Sequence, residues 1–226
     1  MHEQWRRTNK YLFPTRASDF QRKAPFREKA PALAHRDMYL NAEGQLNDLQ
    51  STHGHMASGV PGSVDGMFTL HQKYGTLPMS ELIEPSIEMA RRGYVLTPLA
   101  AEILNTKQEE LQTYNRWSTP YHSDQNWQAG DTITQPDLAQ TLEHIQSNGR
   151  NGFYEGIVAD KIVAEIQSGN GLISLADLKN YQSVWRKPIT GNYRGHQIIS
   201  MAPPSSGGGM PRSAAIGEVP VDATAL

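Results

Sequence analysis

The middle of the chain has the hydrophobic spacing of amphipathic helices. Between residues 66 and 168, apolar side chains recur three and four positions apart, which places them on one face of a helix. We expect the first three of these stripes to make core contacts. The stripes are Met67, Leu70 and Tyr74; Leu82, Ile83, Ile87 and Ala90; Leu99, Ile103, Leu104 and Leu111; Leu138, Leu142 and Ile145; and Val158, Ile162, Val163 and Ile166.

Start and stop residues bound several of these predicted helices. Pro98 opens the third, which we expect to continue as one helix through its last apolar residue. Pro136 opens the fourth, and the Asn-Gly pair at 148–149 ends it. Ser174, followed three residues later by Asp177, predicts a capping box and a further short helix.

Two polar stretches interrupt the helices, and a hairpin follows them. Residues 41–50 and 114–130 have little periodicity and predict loops. Near the C-terminal end, two apolar runs flank a turn at 193–195, a pattern typical of a β-hairpin. The first run contains Val184, Trp185, Pro188 and Ile189, and the second is residues 196–201, with β-branched Ile198 and Ile199. The pattern as a whole predicts an α/β (α+β) chain, mainly helical, with a C-terminal β-hairpin.

Composition narrows the classes of function. The chain has 226 residues and a formal net charge of −2, so it has no general field for attracting nucleic acid or an anionic membrane. It has no apolar run near the ~20 residues needed to span a bilayer. The absence of cysteine excludes disulfides, thiolate metal sites and a cysteine nucleophile. We therefore expect neither a nucleic-acid nor a membrane partner.

Several polar residues invite a catalytic or metal-binding interpretation. His53 and His55 would share one face of a strand and could bind a metal there, but a third ligand is lacking nearby in sequence, so a structural role is favoured. Glu84 and Glu88 lie one helical turn apart, which a solvated helix face explains better than paired catalysis. No Gly-x-Gly-x-x-Gly loop occurs. We expect no metal and no cofactor.

Two adjacent serines lie in the glycine-rich turn after the predicted hairpin. Ser205 and Ser206 could be considered nucleophiles, but the G-x-S-x-G pattern of a nucleophile elbow is absent. We assign this turn a structural role.

Arg27 has two interpretations. On residue types alone it is a surface arginine paired with Glu28 or Asp37. Its planar guanidinium also offers two parallel donors that fit a carboxylate. Local sequence alone favours the surface interpretation.

Seven motifs in fixed order resemble those of γ-glutamyltransferases (glutathione hydrolases). The resemblance runs from about residue 26 to residue 209 and corresponds to the later part of the family's large chain. The motifs are F-R-E-K-A-P (26–31), A-S-G-V-P-G-S-V-D-G (57–66), K-Y-G-T-L-P (73–78), N-G-F-Y-E-G (151–156), D-L-K-N-Y (177–181), R-K-P-I-T-G-N-Y-R-G (186–195) and S-M-A-P-P-S-S-G-G (200–208).

The resemblance implies a fold, a substrate residue and a mechanism. The fold is the αββα sandwich of N-terminal-nucleophile hydrolases, of which this chain would be a fragment. Arg27 occupies the position of the arginine that holds the α-carboxylate of the γ-glutamyl group. The attacking threonine belongs to the small chain, where a T-T-H motif begins after self-cleavage, and these 226 residues contain no such motif. Thr52 lies in the large-chain region and is therefore not expected to be the nucleophile.

Three segments and a function follow as expectations. Residues 1–25 form an unrelated basic segment, 26–209 the large-chain-like region, and 210–226 a divergent tail. The function that the resemblance implies is transfer or hydrolysis of the γ-glutamyl group of glutathione, with the small chain as partner. We expect no catalytic residue in this chain and no activity of this chain alone. The alternative is a non-catalytic remnant or interaction partner. The family is usually periplasmic or extracellular, and residues 1–25 lack the apolar core of a signal peptide.

Overall fold

The computed structural model describes residues 26–115, 117–193 and 195–201. They fall into two compact units. The larger unit consists of Glu28–Val64 and Leu77–Tyr181, and the smaller one comprises the described parts of Met1–Arg27, Asp65–Thr76 and Gln182–Leu226.

The secondary structure is dominated by helices. In chain order the elements are α1 (Asp48–Thr52), a short 3-10 turn (His55–Ala57), α2 (Ser63–Tyr74), α3 (Met79–Arg92), β1 (Tyr94–Val95), α4 (Pro98–Thr106), α5 (Gln108–Tyr114), β2 (Thr132–Ile133), α6 (Pro136–Asn148), α7 (Asn151–Tyr154), α8 (Ile157–Ser168), α9 (Leu175–Lys179), β3 (Ile189–Tyr193) and β4 (His196–Ser200).

The larger unit is built around the pairing of α3 with α6. Ile87, Ala90 and Ala139 are buried where the two helices meet. Ala90 and Ala139 are small and leave room for the larger Ile87 between the two helices, as ridge-into-groove packing requires. Strand β1 follows α3 and strand β2 precedes α6, and the two strands pair antiparallel with Tyr94 opposite Ile133.

A second core cluster holds the long loop that precedes β2. Leu96, Ala101 and Ile133 are buried there, with Trp127 packed at its edge. The amide of Asn105 in α4 exchanges two hydrogen bonds with the backbone of Trp127, at 2.8 and 2.9 Å. Residues 117–130 therefore run without helix or strand, as predicted, while remaining fixed to α4.

The helices α6 to α9 form a consecutive, closely packed series. Gly152 in α7 is buried directly against the backbone of α6, where a β-carbon would overlap the carbonyl of His144. Ala159 and Leu178 are fully buried in α8 and α9. The helix predicted from Pro136 and the capping box predicted at Ser174 are both confirmed.

In the smaller unit, β3 and β4 form the predicted antiparallel hairpin. Its register places Ile189 opposite Ser200 and Tyr193 opposite His196. Strand β3 begins at Ile189, so Val184 and Trp185 precede the hairpin instead of forming its first strand. Arg194 and the serines Ser205 and Ser206 lie outside the described residues.

Several local predictions were wrong. The single helix expected from Pro98 is interrupted at Lys107 and continues as α5, while the expected loop 41–50 already contains the start of α1. Three residues assigned to core stripes are exposed, namely Met67 (50%), Leu99 (65%) and Ile103 (52%). Periodicity identifies the apolar face of a helix but not whether another element covers it.

The described residues thus form the expected α/β chain with mainly helices and a hairpin. Within them, no helix combines the length and apolar character needed to cross a bilayer.

Candidate substrate-binding arginine

Arg27 lies on an exposed stretch directly after an anchored phenylalanine. In the smaller unit, the side chain of Phe26 lies against Gly66 of α2, where any β-carbon would overlap the ring. The neighbouring Asp65 is buried, and its carboxylate accepts the backbone N–H of Ser183 at 2.6 Å. Phe26 therefore packs on a part of α2 that is itself fixed.

The chain after Arg27 is held by a β-bridge in the larger unit. Lys29 and Val60 exchange two backbone hydrogen bonds, Lys29 N to Val60 O at 3.2 Å and Val60 N to Lys29 O at 2.8 Å. Val60 is buried, so this bridge is shielded on one side from water. The backbone is consequently fixed two residues beyond Arg27.

Asp177 provides a second point of attachment for the same segment. Its Oδ1 accepts the backbone N–H of Ala32 at 2.8 Å. Its Oδ2 accepts the backbone N–H of Ser174 at 2.9 Å and the Ser174 hydroxyl at 2.6 Å, which completes the capping box of α9. One carboxylate thus joins the start of α9 to the segment that follows Arg27.

The environment of Asp177 favours its ionised form. Partial burial by itself raises the pKa of Asp177, but hydrogen bonds from the Ser174 hydroxyl and from the N–H groups of Ala32 and Ser174 outweigh it. The pKa is therefore lowered below the ordinary value of 3.8. A depressed carboxylate pKa contributes stability above the unfolded pKa, and this contribution is lost as the pH falls through the folded pKa.

We therefore expect Asp177→Asn to destabilise the chain at neutral pH, by about 1 kcal/mol, because a charge-assisted hydrogen-bond network becomes neutral. The difference from the unsubstituted chain should be constant above about pH 5 and shrink below it. Urea unfolding at pH 7 and at pH 3 measures this, with exposed Asp124→Asn as the control. A difference that grows on acidification would contradict the assignment.

Two stacked tyrosines contact the Lys29–Val60 bridge and its neighbour Pro61. The rings of Tyr154 and Tyr181 are stacked, with centroids 5.8 Å apart and an interplanar angle of 6°. Lys29 Nζ lies 5.0 Å from the Tyr181 ring, and the guanidinium of Arg150 lies 4.2 Å from that of Tyr154. The Tyr154 hydroxyl donates to the carbonyl of Pro61 at 2.9 Å, next to the bridge residue Val60.

Four of the sequence motifs therefore meet in one place. Lys29 and Ala32 come from or directly follow F-R-E-K-A-P; residues 60 and 61 belong to A-S-G-V-P-G; Tyr154 belongs to N-G-F-Y-E-G; and Asp177 and Tyr181 belong to D-L-K-N-Y. From sequence, Asp177 was predicted only as a helix cap, and the two tyrosines were given no role. The sequence signal that could have identified Asp177, Tyr154 and Tyr181 is that each lies in one of the family motifs.

The other candidate residues have structural partners. His53 ends α1 and stacks on Tyr114, whereas His55 begins the 3-10 turn and meets Glu165 with Nε2 and Oε1 3.0 Å apart. The two histidines therefore do not lie on a strand. Among the described residues, no group of three potential ligands could hold a metal ion.

The remaining candidates on helices also have local partners. Glu88 pairs with Arg91 and Arg92 of its own helix, and Glu84 accepts a hydrogen bond from Gln146. The Thr52 hydroxyl donates to the carbonyl of Asp48 one turn earlier. These contacts are those of ordinary helix surfaces.

Comparison with known proteins gives consistent matches. A family model described as gamma-glutamyltranspeptidase matches residues 14–213. Glutathione hydrolase proenzyme from Escherichia coli (strain K12) is 41% identical over 192 residues, covering 81% of this chain and 32% of that protein. The capsule biosynthesis protein CapD proenzyme from Bacillus anthracis is 40% identical over 149 residues, covering 66% of this chain and 27% of that protein. A crystal structure of Helicobacter pylori gamma-glutamyltranspeptidase superposes with a TM-score of 0.74 at 41% identity, over 81% of this chain and 53% of that chain.

The described residues have the fold of the N-terminal-nucleophile hydrolases, of which the matched Helicobacter pylori structure is an example. Within that class, the chain belongs to the γ-glutamyltranspeptidase family. It spans about a third of the length of the curated relatives it matches.

Proposed function

We propose that this chain contributes the substrate-carboxylate site of an enzyme that hydrolyses or transfers the γ-glutamyl group of compounds such as glutathione. Arg27 is the residue proposed to bind the α-carboxylate of that group. The observation that carries the proposal is the position of Arg27 within F-R-E-K-A-P, directly after Phe26, whose side chain lies against Gly66 of α2. A fixed backbone suits a guanidinium that must bind a carboxylate in one orientation.

The proposed reaction places the bond-making group outside these residues. A threonine Oγ attacks the γ-carbonyl carbon, and the amine of the same threonine accepts the hydroxyl proton. The amide bond breaks, the departing amine takes up a proton, and an ester links the γ-glutamyl group to the threonine. Water then releases glutamate, or an acceptor amine takes the γ-glutamyl group. In this scheme Arg27 orients the substrate and takes no part in bond making.

The test is complementation with the parts of a relative that this chain does not span. The full 226-residue chain is co-expressed with the segments of the E. coli glutathione hydrolase outside its matched stretch, including the nucleophile-bearing small chain. We expect this complemented enzyme to hydrolyse γ-glutamyl-p-nitroanilide and the chain alone to leave it intact. The matched control is the same enzyme with its attacking threonine replaced by alanine.

Two outcomes would overturn the proposal. Hydrolysis by the purified chain alone would show that the nucleophile lies within these residues. A complemented enzyme that associates, as judged by size-exclusion chromatography, but does not hydrolyse the substrate would favour a non-catalytic role.

A further inference from the structure

We infer that Gly66 is a positioning residue for Arg27, acting through Phe26. This inference rests on the proposed role of Arg27 in binding the substrate carboxylate. All three residues belong to the smaller unit. A β-carbon at position 66 would overlap the Cβ, Cγ and Cδ1 atoms of Phe26, so the Phe26 side chain lies directly on the glycine.

The approach of Phe26 explains why position 66 holds a glycine. Gly66 lies inside α2, where alanine would be the better helix former if the space beside it were open. The overlap includes the Cβ of Phe26, which does not move when the ring rotates. A methyl group at position 66 would therefore displace the backbone of residue 26 or that of α2.

The α2 side of this contact is the more firmly fixed of the two. The neighbouring Asp65 is buried, and its carboxylate accepts the backbone N–H of Ser183 at 2.6 Å. Phe26 is 41% exposed and lies outside the helices and strands. Added bulk at position 66 should therefore displace Phe26, and with it the adjacent Arg27. A misplacement of about 1 Å at a substrate-binding group can cost about 100-fold in rate.

Two substitutions test the contact from its two sides. Gly66→Ala adds a methyl group that displaces Phe26, whereas Phe26→Ala removes the ring that lies on α2. In the complemented enzyme each should raise KM for γ-glutamyl-p-nitroanilide about 10-fold, with kcat changed less than about 2-fold, because the substrate carboxylate is bound less well and the nucleophile is unaffected. The double variant should raise KM no more than the stronger single variant, because both act through one contact.

Gly75→Ala is the matched control. It makes the same substitution just after α2 in the same unit, where the new methyl group would overlap His71. KM should stay within about 2-fold. A glycine that matters only for the packing of α2 would give the same catalytic result at both positions.

A substrate that lacks the α-carboxylate separates positioning from general damage. γ-Aminobutyryl-p-nitroanilide keeps the reacting amide, so Gly66→Ala and the unsubstituted enzyme should hydrolyse it at similar rates. When Arg27→Ala is already present, Gly66→Ala should have no further effect on KM for γ-glutamyl-p-nitroanilide.

The outcomes separate this inference from the proposed function. If Arg27→Ala has no effect on KM, the proposed function fails and the inference fails with it. If Arg27→Ala raises KM but the effect of Gly66→Ala is absent, is fully additive to it, or is reproduced by Gly75→Ala, the inference alone is wrong. If Gly66→Ala does not fold, Phe26→Ala is measured on both substrates, and an unchanged KM or an equal defect on both overturns the inference.

Discussion

Arg27→Ala is expected to lower kcat/KM of the complemented enzyme for γ-glutamyl-p-nitroanilide by about 30-fold or more. Loss of one partner of a hydrogen-bonded charge pair at a binding site costs about 2 to 5 kcal/mol, and each 1.4 kcal/mol corresponds to about tenfold. Arg27→Lys should lower kcat/KM by about 10-fold, less than Arg27→Ala does, because lysine keeps the positive charge but not the two-pronged geometry. Initial rates over a range of substrate concentrations measure both.

A control variant, Arg36→Ala, and a substrate without the α-carboxylate test whether Arg27 binds that carboxylate. Arg36→Ala removes an arginine whose side chain is 92% exposed and pairs with the adjacent Asp37, so kcat/KM should change less than about 2-fold. γ-Aminobutyryl-p-nitroanilide has the same reacting amide but lacks the α-carboxylate. The unsubstituted enzyme and Arg27→Ala should hydrolyse it at similar rates. A defect of equal size on both substrates would mean that Arg27 does not bind the carboxylate.

Gly152→Ala is expected to destabilise the chain by about 2 kcal/mol, although alanine is the better helix former. A methyl group at this position would overlap the carbonyl of His144 and approach the Ile145 Cα to 2.9 Å, so α6 and α7 would have to separate. Overpacking of this kind costs about 1 to 3 kcal/mol, which exceeds the gain of up to about 1 kcal/mol in helix propensity.

Thermal unfolding followed by circular dichroism measures this effect. For a chain of this size, the midpoint should fall by about 4 to 8 °C. Asn151→Ala, at an exposed position in the same helix, is the control and should change the stability by less than about 0.5 kcal/mol. A midpoint that rises in Gly152→Ala would show that helix propensity outweighs packing there.

The helices could be predicted where start, stop and periodicity agreed. Helix α6 is an example, because Pro136 and the Asn-Gly pair bound a clear apolar stripe. The break at Lys107 could not be predicted from local spacing. There, the Gln108 side chain donates to the carbonyls of Leu104 and Tyr121 and accepts the N–H of Ser123, so a distant loop ends the helix. Strands β1 and β2 have two residues each, too few for any period to be visible.

The candidate site was predictable only as far as its motifs. Arg27 was identified from F-R-E-K-A-P, since residue types alone favoured a surface arginine. The role of that motif as a substrate site remains a prediction. Its supporting contacts come from Val60, Tyr154 and Asp177, which are far apart in sequence and have no local pattern in common with it. Contacts of this kind are determined by tertiary packing.

The 145-residue separation between Ala32 and Asp177 has a consequence for biosynthesis. Ribosomes add about 5 to 20 residues per second, so Ala32 is synthesised about 7 to 30 s before its partner Asp177. During that interval the nascent segment cannot form its native attachment, and contacts of such large sequence separation close slowly. The arginine-bearing stretch should therefore be among the last parts of this chain to acquire its native conformation during translation.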